Sequence, residues 1–142
     1  MCFRDQGGLR TVAKKSYKDM NLYSCIVLNL LASAMGIDPQ QKDLDKKLDL
    51  LMLQENAGLS KSEIMHHIRS NHNMTERILN HLSSEGFIEI EKDERTYKVV
   101  PTKKGLLHVG EFNKFYASIY SKQIEDHYRY IGLPAWYRKH RE

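Results

Sequence analysis

Between Tyr17 and Met35, apolar residues recur every three or four positions. Leu22, Ile26 and Leu30 fall on one line, with Tyr23, Val27, Leu31 and Ala34 beside them, a spacing that predicts an apolar N-terminal helix over 17–37. Gly36 stands where a glycine closes a helix, and Asp38-Pro39 opens the next segment. A second helix is expected from Pro39 to Glu55 on Leu44, Leu48, Leu51 and Met52, ended by Asn56-Ala-Gly58. Ser60-Lys-Ser-Glu63 has the form of a capping box and starts a short helix with Ile64, Met65 and Ile68 inward. Asn71-His-Asn73 reads as a turn, with Asn73 as the N-cap of a helix over 74–85 that buries Ile78, Leu79 and Leu82 and stops at Gly86.

The rhythm then changes to alternation. Phe87-Ile-Glu-Ile-Glu91 and Tyr97-Lys-Val99 have period two around the polar tip Lys92-Asp-Glu-Arg-Thr96, which predicts a β-hairpin over 87–100. Pro101 ends the second strand, and Thr102 can cap a helix starting at Lys103. Leu106, Val109, Phe112, Phe115 or Tyr116, Ile119, Gln123, Ile124 and Tyr128 mark that long helix over 103–131, broken by Gly132-Leu-Pro134. Residues 132–142 are read as a basic tail and residues 1–16, aperiodic with Gly7-Gly8, as a flexible basic arm. The fold class expected is mainly α with a small two-stranded antiparallel wing: a winged helix-turn-helix over 38–102 followed by a long C-terminal helix. Helix, helix, turn, helix and hairpin within about sixty residues is that arrangement.

Composition mainly excludes. A chain of 142 residues, 41% hydrophobic and 28% charged, suits one folded domain with an appended element. The run from Cys25 to Met35 is interrupted by Asn29 and Ser33 and falls short of the ~20 apolar residues that span a bilayer. Residues 1–16 are not followed by the apolar stretch and cleavage site of a signal peptide. Cys2 and Cys25 form no CxxC pair or disulfide framework. A cytoplasmic protein without a membrane partner is expected. The formal charge of +4 and pI of about 9.0 suit a polyanionic partner without requiring one.

Candidate chemistry lies on the 74–85 helix. With Ile78, Leu79 and Leu82 inward, the opposite side is expected to hold Thr75, Glu76, Arg77, Asn80, His81 and Ser84. Arg and Asn can make paired hydrogen bonds to base edges, and Thr and His can reach phosphates or bases. The helix N-terminus at Asn73 adds a partial positive charge. Lys92 and Arg95 at the hairpin tip, with Lys61 and Lys98, are candidates for the nucleic-acid backbone. Asp93 and Glu94 balance the tip. Among the seven histidines, His66 and His67 lie ~100° apart on a helix, and no cysteine pair or HExxH completes a ligand set, so no metal or other cofactor is expected. No GxSxG, P-loop or Cys-His pair suggests an enzyme. Cys25 is read as a small buried hydrophobe.

Three stretches carry a resemblance. Lys61-Ser-Glu-Ile-Met65, Ile78-Leu-Asn-His-Leu-Ser-Ser-Glu-Gly-Phe-Ile-Glu89 and Tyr97-Lys-Val-Val-Pro-Thr-Lys-Lys-Gly-Leu106 resemble the family of archaeal winged helix-turn-helix DNA-binding proteins, over about residues 43–130. The chain departs from that pattern in its longer connection Arg69-Ser-Asn-His-Asn73 and in the additional N-terminal helix. The resemblance implies DNA binding, and dimerisation through the C-terminal helix in some members.

Together these readings predict a DNA-binding transcriptional regulator that meets double-stranded DNA as a homodimer. Asn73, Thr75, Arg77, Asn80 and His81 would read the major groove, while Lys61, Lys92, Arg95 and Lys98 contact the backbone. Thirty helical residues would span ~45 Å, more than a sixty-residue domain covers, so Leu106, Val109, Phe112, Tyr116, Ile119, Tyr120 and Ile124 are expected in a dimer seam. No small-molecule effector is expected. The alternative is a winged-helix adaptor that binds a protein and never DNA.

Overall fold

A computed structural model describes residues 19–51 and 58–137 of the chain. The basic arm over 1–16, the end of the second helix with Met52, and the basic residues 138–142 lie outside the described residues. Helix α1 (Met20–Ala34) starts at Asp19, whose Oδ1 accepts from the Leu22 amide at 3.0 Å, and ends before Gly36 at φ 72°. A broad apolar face was the expectation; the structure buries nearly the whole circumference, including Ser24 and Asn29. A helix apolar on all sides belongs in the interior. Accordingly α1 is the spine of the molecule, packed by α3 (Lys61–Ile68), α4 (His72–Ser84), β3 (Tyr97–Pro101) and α5 (Lys103–Glu111).

Helix α2 (Leu44–Leu51) begins later than the expected start at Pro39, after Asp43, which sits at φ 60°. Leu44 and Leu48 join Ala32, Ile37 and Leu106 in a small second core. Lys103 at the start of α5 pairs with Asp45 at 2.9 Å and Asp49 at 2.8 Å. The hairpin of β2 (Ile88–Lys92) and β3 is extended by β1 (Leu59–Ser60) into a three-stranded antiparallel sheet of order β1-β3-β2. In register, Leu59 lies opposite Val99 and Ile90 opposite Val99 on the other side. The order α2, β1, α3, α4, β2, β3, with the short strand closing the sheet, is a winged helix.

The C-terminal segment corrects the expectation of one helix over 103–131. Thr102 caps α5 through the Gly105 amide at 3.0 Å. The chain then passes through a π-helical turn (Phe112–Tyr116) and a 3₁₀ turn (Ala117–Tyr120) before α6 (Ser121–His127). All three helix types keep residues three to five apart close together, so an apolar stripe does not separate them. Across the wide turn Phe112 and Asn113 are both buried. Asn113 exchanges two hydrogen bonds with Asn29 of α1, at 3.0 and 2.8 Å, so neither buried amide is left without a partner.

The seam residues divide. Leu106, Val109, Phe112 and Ile124 are buried within the protomer, because α1 and α2 already cover that side. Tyr120 is half-buried, its ring 5.7 Å from that of Phe112. Tyr116 and Ile119 stay 53% and 70% exposed, with Phe115 at 61% beside them. The tail reading also changes: Trp136 packs on the core and Tyr137 enters it, the Tyr137 hydroxyl donating to Glu125 at 3.0 Å. Two large aromatics find more apolar contact there than in water. Among the described residues, no helix is long and apolar enough to cross a membrane.

Candidate nucleic-acid interface

Helices α3 and α4 meet through a turn of three residues, Arg69 to Asn71, shorter than the sequence suggested. The difference arises at the cap. Asn71 accepts from the Met74 amide at 2.7 Å and α4 begins at His72, which leaves Asn73 exposed in the first turn instead of capping it. Either asparagine has the right side chain for the cap. Ser60 and Glu63 cap α3 reciprocally, at 3.0 and 2.9 Å. Arg69 closes α3 in the left-handed region at φ 52°, where a side chain costs ~1–2 kcal/mol. Its guanidinium donates to the His127 carbonyl and ties the turn to α6.

On α4 the buried positions are Thr75, Ile78, Leu79 and Leu82. They follow i, i+3, i+4, i+7, so Thr75 belongs to the core and cannot reach a groove. Its Oγ1 is buried without a hydrogen-bond partner among the described residues. Opposite lies an exposed stripe of Asn73, Arg77, Asn80 and Ser84. His81 sits at the flank, half-buried, and lines a cavity against α1.

Lys61 also leaves the set of free cations. Its Nζ is 2.7 Å from Glu76 and 3.2 Å from His72 Nε2, and lies 5.4 Å from the centre of the Tyr97 ring, with the side chain only 12% exposed. Tyr97 donates to the same Glu76 carboxylate at 3.4 Å. The Lys61 hydrogen bond holds the Glu76 carboxyl below the usual carboxylate range. The charge of the acid on α4 is thereby balanced by Lys61, and the exposed stripe is left with Arg77 as its charge.

In the wing, Lys92 and Arg95 are exposed, Lys92 lying over the Tyr97 ring at 5.4 Å. Asp93 accepts from the amides of Arg95 at 2.9 Å and Thr96 at 2.8 Å, and these bonds keep its carboxyl ionised to lower pH than usual. Lys98 is not at the tip. It is half-buried on the central strand, its stem so close over Gly58 that a methyl group there would meet Lys98 Cε at 2.8 Å. Glu89 and Glu91 are exposed on β2, so the wing's acids at least match its bases.

Among the described residues no group of three or more His, Cys, Asp or Glu is placed to hold a metal ion. His67 faces Tyr128, ring centres 6.5 Å apart, while the neighbouring His66 is exposed. Burial, with the charge of Asp19 adding, pushes the Cys25 thiol up to about 12, which leaves it protonated and unreactive at neutral pH. Sequence reasoning missed the cavity beside His81, because its walls come from α1, α4, the turn that follows α4, α5 and the C-terminal segment and share no local pattern.

No family model and no curated protein matches this sequence. Among solved structures, one similar chain is a MarR transcriptional regulator from Methanosarcina mazei Go1. It is 20% identical, with 89% of this chain and 80% of that chain covered, at a TM-score of 0.37. So loose a likeness adds nothing to the element order and strand register, on which the winged helix assignment rests.

Proposed function

We propose that the protein is a DNA-binding transcriptional regulator that inserts α4 in the major groove and acts as a homodimer. The observation that carries this reading is the exposed stripe Asn73, Arg77, Asn80 and Ser84 on a capped helix whose opposite face is locked into the core. A groove ~12 Å wide admits such a helix, and Arg and Asn can each bond two atoms of one base edge. Lys92 and Arg95 would follow the backbone. Of the expected seam positions Tyr116 and Ile119 are exposed, with Phe115 beside them, and would meet a second copy.

The test is a titration of duplex DNA with Arg77→Ala and Asn80→Ala variants. Arg77→Ala weakens binding by about 1–3 kcal/mol if that guanidinium reads a base. An affinity equal to that of the parent protein would show the stripe to be solvated surface. The acidic residues of the wing favour one second reading, an adaptor whose α4 face binds a protein. Glu89, Glu91, Asp93 and Glu94 would repel phosphate and suit a basic partner.

A further inference from the structure

Beside the C-terminal end of α4 the structure opens a cavity of about 440 Å³, within the ~300–1,000 Å³ usual for small-molecule sites. Its walls are mostly aromatic. Phe87 and His108 stack with ring centres 4.2 Å apart, and Phe112, Tyr116 and Tyr120 close the other side. The π-helical turn begins at Phe112 and ends at Tyr116, so the rare wide turn forms part of the cavity wall. Turns of this kind occur often at functional sites. At the α1 wall Ser24 is 4% exposed, and its Oγ finds no hydrogen-bond partner among the described residues. A buried hydroxyl left that way is costly, and a guest with a polar group relieves it.

Histidines aside, the one ionisable side chain at the cavity that is charged at neutral pH is an acid. Glu85 lines it and makes no ion pair among the described residues. The nearby Lys104 is bonded to the Glu85 carbonyl at 2.9 Å and lies over the Phe87 ring at 5.5 Å, outside the lining. Burial also lowers the pKa of His108, which favours a neutral imidazole on the stacked wall.

We propose that this cavity binds a small molecule made of a planar aromatic ring and an aliphatic ammonium. The ring is held among the aromatic walls and the ammonium is drawn to Glu85. The assignment stands on the cavity alone. Any effect on DNA rests on the reading of α4 given above, since a guest touching His81 and Glu85 bears on the helix that carries Arg77 and Asn80.

The test uses the full chain and three probes of one ring and different charge: tryptamine, indole and indole-3-acetate. Protein resonances are followed by two-dimensional NMR during each titration, without DNA. Tryptamine should give saturable shifts centred on Cys25, His81 and His108, and bind roughly fivefold tighter than indole, the effect of one exposed ion pair. Indole-3-acetate should bind weakest of the three. Glu85→Gln, a change at an exposed position, should bring tryptamine and indole to equal affinity. The proposal is overturned by the absence of saturable shifts with tryptamine, by shifts centred elsewhere such as on Trp136, or by a tryptamine preference that survives Glu85→Gln.

Discussion

Thr75 and Arg77 stand two positions apart on α4 and face opposite ways. The first is in the core with an unpartnered hydroxyl, the second in solvent. Thr75→Val keeps the shape and removes the buried polar atom, so unfolding measurements should show a gain of about 1 kcal/mol with DNA affinity unchanged. A loss of DNA affinity would return Thr75 to the interface. The histidines give a pH dependence. Burial lowers the pKa of His67, with His66 adding to the effect, and burial also lowers that of His108. Between the folded value and the unfolded value of about 6.5, the unfolded chain binds more protons, so stability rises with pH there. The contribution is complete above about pH 6.5 and is lost as pH falls through the folded values. A melting temperature that declines from pH 7 toward pH 5, less steeply in His67→Gln and His108→Gln, is the expected result. A flat profile would contradict it.

At the scale of elements, α5 is set against the end of the hairpin with no spare room. A methyl group on Gly105 would come 2.1 Å from the Phe87 carbonyl oxygen, the same oxygen that accepts from the Thr102 amide at 3.0 Å. Gly105→Ala must push α5 off the sheet, and a loss of about 1–3 kcal/mol or more is expected in chemical denaturation. An undiminished stability would show that the helix is free to shift. Local chemistry was legible in the sequence here: the caps at Ser60 and Thr102 act over three residues and read directly. Three features were not. The two residues of β1 hold no period, the π and 3₁₀ turns keep an α-like stripe, and Asn71 and Asn73 are chemically equal candidates for one cap. Of the site, Arg77 and Asn80 could be placed from helical phase. Lys61 could not, because its partners Glu76 and Tyr97 reach it only through the packing of α3, α4 and the sheet.

In the whole molecule, burying α1 decides what remains for other partners. It takes up Val109, Phe112 and Ile124, residues whose spacing alone suits a dimer seam equally well. What is left outside includes the α4 stripe and, among the exposed apolar side chains, Phe115, Tyr116 and Ile119. On the reading proposed above, the stripe meets DNA. Fluorescence anisotropy of a random-sequence duplex at two salt concentrations, with the mass in solution recorded alongside, tests it most directly. The expected result is a dimer that binds at ~10⁻⁴–10⁻⁶ M and weakens with salt at a slope of about −0.9 per phosphate neutralised. No binding at low salt would contradict it and leave the α4 face to a protein partner.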